Sequence, residues 1–209
     1  MDGDKPVVVI EHLEPEFRLW IFLEYRHVST IYGRDYVWFT NIPVRYSKVL
    51  ERYGRVFQDS IVDLVKRRVI DIGKAIVLDP QASKPLSYDD LLVYKYVIIG
   101  GILGDHPPRG RTKEYLTNRL RGIESRNIGD GQYSIDGSVY YIYYLWKNKG
   151  LHGFKYVDGV TIETKQGNVY LPFRYPIVGD KPLLAPGLME YLRGEPLPRE
   201  IIEELGLSK

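Results

Sequence analysis

The stretch Tyr94-Lys95-Tyr96-Val97-Ile98-Ile99-Gly100-Gly101-Ile102-Leu103-Gly104 decides the fold class of this chain. Residues Tyr94 to Ile99 form a continuous apolar run typical of a buried β-strand, and Lys74 to Leu78 form an earlier run of the same kind. Uninterrupted apolar strands that are separated by helical segments indicate a parallel sheet covered on both faces. We therefore predict an α/β fold, with a mostly parallel sheet flanked by helices.

Other apolar segments predict the elements around these two strands. Further strands are expected at Pro6 to Ile10, Leu19 to Val28 and Tyr36 to Thr40. Apolar residues at helical spacing predict one or two helices between Arg45 and Arg68 with a break at Gly54, a short helix from Thr112 to Arg121, an aromatic helix from Ser138 to Lys147 and a last helix from Glu200 to Glu204.

A β-hairpin is predicted late in the chain. Its strands are Thr161 to Thr164 and Val169 to Phe173, joined by Gln166-Gly167-Asn168. We expect residues 1–178 to form one domain that includes this hairpin, and residues 179–209 to form a C-terminal extension packed on it.

The composition narrows the function classes. The 209 residues include no cysteine and four histidines, which argues against a disulfide framework, a thiolate zinc site, a cysteine nucleophile and a metal centre. Lys and Arg number 29 against 27 Asp and Glu, so charge alone does not demand a nucleic-acid partner. Neither a signal peptide nor an apolar run of about 18 residues is present, so we expect a cytoplasmic protein without a membrane partner. Abundant Ile, Val, Tyr, Lys, Arg and Glu fit a thermophilic source.

The residues after the second apolar strand are those of a ligand-binding loop. Gly100, Gly101 and Gly104 let the backbone approach a ligand beyond the carboxyl end of a parallel strand. Pro107-Pro108 stiffens the chain beside Asp105 and His106. A plain strand-to-helix turn with a rigid proline corner is the alternative.

Two more segments complete a candidate site. The glycine-containing loop from Arg126 to Asp136 could offer backbone groups to the edge of an adenine, or could be a loop in which Asp136 caps a helix. Leu78 to Ala82 ends the earlier strand. No Gly-Lys-Ser/Thr follows the glycines and G-x-G-x-x-G is absent, so nucleoside triphosphates and NAD are weak candidates.

At these residues the chain resembles a small family of eukaryotic and archaeal S-adenosylmethionine-dependent methyltransferases, one of which is a yeast enzyme that methylates an arginine of a ribosomal protein. The matching stretches, in the order of the family motifs, are Val9 to His12, Trp20 to Tyr25, Leu78 to Pro80, Gly100 to Thr112, Arg126 to Tyr133 and Pro172 to Tyr175. The chain departs from the family pattern at Gly110, Ile128 and Tyr133.

The family is similar to the SPOUT methyltransferases, and this resemblance implies a C-terminal trefoil knot and S-adenosylmethionine as the cofactor, with S-adenosylhomocysteine as the product. The residues implied in cofactor binding lie in three loops: Leu78, Pro80, Gly100, Gly101, Gly104, Ile128, Gly129, Gln132 and Ile135. The resemblance leaves a monomer and a homodimer both open.

The expected acceptor is an arginine of a ribosomal protein. A guanidinium stays protonated because its pKa exceeds about 12, so its methylation requires carboxylates that orient it and receive a proton. Glu24 and Asp105 are the predicted catalytic residues. Predicted substrate-binding residues are Glu11, His106, Arg109 and Arg111. An RNA acceptor, with Arg109 and Arg111 at phosphates, and a non-catalytic ribosome-associated protein are the alternatives.

Overall fold

The computed structural model of the chain describes residues 5–104, 107 and 109–205. Within these residues, a sheet of six parallel strands forms the centre: β1 (Val7–His12), β2 (Val37–Thr40), β3 (Arg55–Val56), β4 (Ala75–Leu78), β5 (Tyr96–Gly101) and β6 (Glu124–Arg126). The spatial order is β3-β2-β1-β5-β4-β6. The predicted α/β fold with a mostly parallel sheet is confirmed.

The central strands are buried on both faces because their side chains alternate between two apolar cores. Val8 and Ile10 of β1 face the larger core, whereas Val9 faces the smaller one. Ile98 of β5 joins Val9, and Ile99 lies on the opposite face. A strand with apolar residues on both faces gives an uninterrupted apolar run, which is why β1, β4 and β5 were recognisable in the sequence.

Helices cover both faces of the sheet. In the described part of the chain they are α1 (Leu19–Tyr32), α2 (Val44–Leu50), α3 (Ile61–Lys66), α4 (Tyr88–Val93), α5 (Ile135–Asn148), α6 (Leu188–Arg193) and α7 (Arg199–Glu204). Helix α3 packs on the smaller core, together with a π-helical turn at Lys113–Thr117. Helices α1, α2, α4, α5, α6 and α7 contribute to the larger core.

The strand predicted from Leu19 to Val28 is wrong, because this segment is the first ten residues of α1. An apolar run fits a buried helix as well as a buried strand, and α1 is packed between the sheet and α5. Trp20 and Glu24 reveal the helix, since the indole Nε1 donates to Glu24 Oε1 over 2.6 Å across one turn. Gly33, with φ of 87°, ends the helix in a conformation that favours glycine.

The predicted hairpin is present and longer than expected. It consists of β7 (Tyr156–Thr164) and β8 (Gly167–Val178), and the short β9 (Lys181–Pro182) extends it as a third antiparallel strand. Ala185, Leu188 and Ile201 are buried in the larger core, so the chain after residue 179 packs on the rest of the fold. The division into a domain and an extension stays a prediction, as does the trefoil knot.

The strand order creates a switch point between β1 and β5. From β1 the chain moves outward to β2 and β3, whereas β4, β5 and β6 lie on the opposite side. Ligands of open α/β sheets bind beyond the carboxyl ends of the strands near such a point. Over the described residues, no helix combines the length and the apolar character needed to cross a lipid bilayer.

Candidate functional site

A cavity of about 310 Å³ lies beyond the carboxyl ends of β4, β5 and β6. Its volume is at the lower end of the range of about 300 to 1,000 Å³ that is typical of small-molecule sites. Three loops and the first turn of α5 form its wall. The lining residues are Leu78, Asp79, Pro80, Gln81, Ile99, Gly100, Ile102, Gly104, Arg109, Gly110, Arg111, Thr112, Ile128, Gly129, Asp130, Gly131, Gln132, Tyr133, Ile135 and Ser138.

The first loop follows β4 and is fixed by Asp79. One carboxylate oxygen of this buried side chain accepts from the backbone N–H of Gln81 at 2.9 Å, and the other accepts from the Thr117 hydroxyl at 2.7 Å. The first contact closes a tight turn over Pro80. The second ties the turn to the π-helical segment, so the loop is held from both sides.

The second loop follows β5 and is fixed by Glu14. This carboxylate accepts from the backbone N–H of Leu103 at 3.0 Å and from Arg111 Nη1 at 3.1 Å. Arg111 also donates to the carbonyl of Leu103. The Arg111 side chain is therefore a brace between the two ends of the glycine-rich loop, in addition to lining the cavity.

The third loop follows β6 and is attached to the first through Asn127. Its side-chain amide donates to the carbonyl of Ala82 at 2.8 Å, and its Oδ1 accepts from the backbone N–H of Gly129 at 3.0 Å. Gly129 has φ of 95°, a left-handed conformation that side chains rarely adopt. The chain then turns along the cavity to Ser134, which caps α5 through its hydroxyl.

All but one of the nine residues predicted to bind the cofactor line this cavity. The exception is Gly101, which is buried and points away from it. A methyl group at Gly101 would overlap the Tyr25 hydroxyl and would lie 2.9 Å from the carbonyl oxygen of Glu11. Gly101 is thus required for the close packing of β5 against β1 and α1, and its cofactor-binding role remains a prediction.

The predicted substrate-binding residues are divided among several places. Arg109 and Arg111 line the cavity, whereas His106, like the predicted catalytic residue Asp105, lies outside the described residues. Glu11 is buried between β1, the end of β2 and the start of α3, where its carboxylate accepts from the Thr40 hydroxyl and from the backbone N–H of Ile61. Burial raises the pKa of Glu11 to about 7.

Glu24 is fully buried and lies behind the cavity wall. Its carboxylate accepts from the indole of Trp20 at 2.6 Å and from the backbone N–H of Ile135 at 2.9 Å. Ile135 lines the cavity, but Glu24 is not among the lining residues. Burial, together with the nearby charge of Asp136, raises the pKa of Glu24 to about 8. In this position Glu24 caps α5, and its catalytic role stays a prediction.

Several lining residues were not individually predicted from the sequence. Asp79, Thr112 and Tyr133 lie within the matched motifs, so the predicted cofactor-binding residues beside them indicated that they would be near the site. No sequence pattern indicated that Ser138 lines the cavity, because it lies outside the matched motifs and is brought to the cavity by the first turn of α5. Among the described residues, no group of three or more His, Cys, Asp or Glu side chains is placed to hold a metal ion.

Solved methyltransferases have the same fold. The crystal structure of the yeast arginine methyltransferase SFM1 complexed with SAM superposes with a TM-score of 0.80 and 26% identity, covering 93% of this chain and 92% of the yeast chain. Its complex with SAH gives 0.78 and 27%, covering 89% and 94%. The dual-specific Trm10 of Thermococcus kodakaraensis shares the fold at a TM-score of 0.51 and 18% identity, covering 67% and 91%. The fold is that of the methyltransferases of the SPOUT class.

Sequence comparison narrows this class to one family. Yeast protein arginine N-methyltransferase SFM1, from Saccharomyces cerevisiae, is 29% identical over 198 residues, which cover 88% of this chain and 93% of the yeast protein. The model of the SFM1-like protein arginine N-methyltransferases matches residues 7–196, so the chain belongs to this family. The resemblance inferred from the motifs is confirmed.

Proposed function

We propose that this chain binds S-adenosylmethionine in the cavity at the ends of β4, β5 and β6 and transfers its methyl group to an arginine of a ribosomal protein. The observation that carries the proposal is that eight of the nine residues predicted to bind the cofactor, which come from three separate segments of the sequence, line one cavity of cofactor size. The membership in the SFM1-like family supports the arginine acceptor.

The cavity wall has the groups that such a cofactor needs. Leu78, Ile99, Ile128 and Ile135 give an apolar surface for the adenosyl part. Arg109 would supply a cation for the carboxylate of the methionyl part. Gly100 leaves room for the ligand, since a methyl group there would project toward Ile102 and Thr112, at 3.2 and 3.6 Å.

When bound, S-adenosylmethionine supplies a methyl group on a sulfonium, and the S–C bond breaks with its electron pair passing to sulfur. An arginine nitrogen forms the new C–N bond, and one proton leaves the guanidinium, which remains a cation after methylation. The chain must hold nitrogen and methyl in line at about 3 to 3.5 Å. Glu24 and Asp105 are our candidates for orienting the guanidinium and receiving the proton.

The acceptor is tested by label transfer. Purified chain is incubated with methyl-tritiated S-adenosylmethionine and with ribosomes, and the products are digested either with protease or with nuclease. We expect the label to be sensitive to protease and to elute as methylarginine after acid hydrolysis. Label that only nuclease releases would contradict the arginine acceptor and favour RNA.

Gly100→Val is expected to weaken cofactor binding by at least about tenfold, because the new side chain would occupy space in the cavity. Isothermal titration calorimetry with S-adenosylmethionine measures the change. Gly150→Val is the matched control, since a methyl group at Gly150 meets no atom within 4 Å. If Gly100→Val folds and binds as tightly as the control, the cofactor does not lie at Gly100.

A further inference from the structure

Strand β8 contacts two of the three cavity loops through consecutive side chains. Phe173 reaches Gly104 in the loop after β5, where an added methyl group would lie 2.6 Å from the ring. Arg174 points to the other face of the strand and packs on Gly131 in the loop after β6. The hairpin therefore lies against the side of the cavity that the sheet does not form.

Arg174 connects the hairpin to the third loop through its backbone and its side chain together. Its backbone N–H donates to the carbonyl of Gln132 at 2.7 Å. Its guanidinium makes a bidentate pair with Asp158 of β7, at 2.6 and 2.9 Å, and a further ion pair with Asp130 at 2.8 Å. The guanidinium carbon lies 4.0 Å from the centre of the Tyr156 ring.

The packing of Arg174 explains why the loop has a glycine at position 131. A methyl group at Gly131 would overlap the guanidinium carbon, and would lie 2.8 Å from Nη1. The Arg174 side chain is 9% exposed, whereas those of Asp158 and Asp130 are 63% and 92% exposed. Exposed ion pairs contribute little stability by themselves. The position of the loop is therefore constrained mainly by the packing of the planar guanidinium on Gly131 and by the bidentate pair with Asp158.

The guanidinium holds its charge in this setting. The hydrogen bonds that Arg174 donates to the carboxylates of Asp158 and Asp130 raise the pKa of its guanidinium above the ordinary value. The pKa values of both carboxyls are lowered by the same contacts. All three groups are thus ionised at neutral pH.

We propose that Arg174 is a positioning residue that fixes the Gly129 to Tyr133 segment against the hairpin and thereby sets the affinity for S-adenosylmethionine. This inference rests on the proposed function of the cavity. Gly129, Gly131 and Gln132 line the cavity, and the atoms of a loop bind a ligand with full affinity only when the loop is held in its binding conformation. Arg174 itself does not line the cavity.

The test measures both binding and turnover for Arg174→Gln. We expect the Kd for S-adenosylmethionine to rise about tenfold, comparable to the loss of one charge-assisted hydrogen bond. At saturating S-adenosylmethionine we expect kcat to stay within about threefold of wild type, because excess ligand selects the ordered loop. Arg174→Lys retains the charge but not the planar fork, so an intermediate Kd is expected.

Asp158→Asn tests whether Arg174 sets the affinity for S-adenosylmethionine through its bidentate pair with Asp158. It should raise the Kd less than Arg174→Gln does, and the double variant should bind within twofold of Arg174→Gln alone, since partners in one contact are not additive. Arg193→Gln is the matched control, because Arg193 donates to the carbonyl of Glu163 near the hairpin turn. Its Kd should equal that of wild type.

The inference fails if Arg174→Gln and Arg174→Lys both bind S-adenosylmethionine within twofold of wild type. It also fails if kcat falls tenfold while the Kd is unchanged. If Arg174→Gln does not fold, Arg174→Lys and Asp158→Asn decide between the same outcomes. A wild-type chain that binds no S-adenosylmethionine would instead contradict the function proposed for the cavity.

Discussion

Gly101→Ala is expected to lower the free energy of unfolding by about 3 kcal/mol and the Tm by roughly 6 to 12 °C. The added methyl group would overlap the buried hydroxyl of Tyr25 and press on the carbonyl oxygen of Glu11, at 2.9 Å, and on Ile10, at 3.1 Å. None of these three neighbours can move away easily. Gly101 pairs with His12 in the parallel register of β1 and β5, and Tyr25 is fully buried in the larger core.

Gly100→Ala is the matched control for this prediction, one residue earlier on the same strand. Its methyl group would lie 3.2 Å from the end of the Ile102 side chain, which can rotate away. We expect a change in unfolding free energy of less than about 1 kcal/mol. Urea denaturation measures both variants, and a Gly101→Ala chain as stable as Gly100→Ala would contradict the steric account.

Glu24→Ala is expected to cost about 3 kcal/mol of stability. The change leaves the indole N–H of Trp20 and the backbone N–H of Ile135 without their acceptor, at the position of a side chain that is buried in the wild-type chain. The exposed Glu16, changed to Ala, is the control and should leave the Tm unchanged.

The raised pKa of Glu24 also predicts how the free energy of unfolding depends on pH. The pKa of Glu24 is about 8 in the folded chain, whereas its ordinary value, which applies to the unfolded chain, is 4.5. Between these two pH values the folded chain holds a proton that the unfolded chain has released. The free energy of unfolding should therefore fall as pH rises toward about 8. His12, whose pKa burial lowers to about 4, acts in the opposite direction below its ordinary value of 6.5. The interval from pH 6.5 to about 8 isolates the carboxylate effect.

Glu24→Gln tests this interval and the predicted catalytic role together. The amide cannot ionise, so the decline in stability between pH 6.5 and 8 should become shallower, leaving the part due to Glu11, whose pKa is about 7. Asp136 and Tyr175 lie near the same carboxylate, His27 pairs with Asp136, and all three residues remain in the variant. If Glu24 acts in catalysis, methyl transfer should be lost while the affinity for S-adenosylmethionine stays within a few fold. A fully active variant would restrict Glu24 to its structural role.

The wrong prediction at α1 has a physical explanation. A segment buried on all sides has no polar face, and without a polar face the apolar pattern has no period that separates a helix from a strand. The segment is covered by the central sheet, by α5 and by the apolar side chains of the hairpin. Gly33 at its end was the local signal for a helix that could have decided the question.

The short elements were missed for a different reason. Strands β3 and β6 have two and three residues, and each forms only because a neighbouring parallel strand pairs with it. Helix α4 begins with a capping box of Ser87 and Asp90, which is a helix-start signal within the local sequence. Local composition cannot predict pairing partners that lie far away along the chain.

The sequence by itself determined the fold class, the family and most of the cavity lining, because buried parallel strands and the loops after them leave continuous apolar runs and glycine-rich motifs. Only the tertiary structure decided which of those residues face the cavity. Gly100 lines it and Gly101 does not, because successive residues of a strand point to opposite faces. The same holds for Glu24 and Arg174, since partners 111 and 44 residues away, at Ile135 and Asp130, determine what these charged side chains touch.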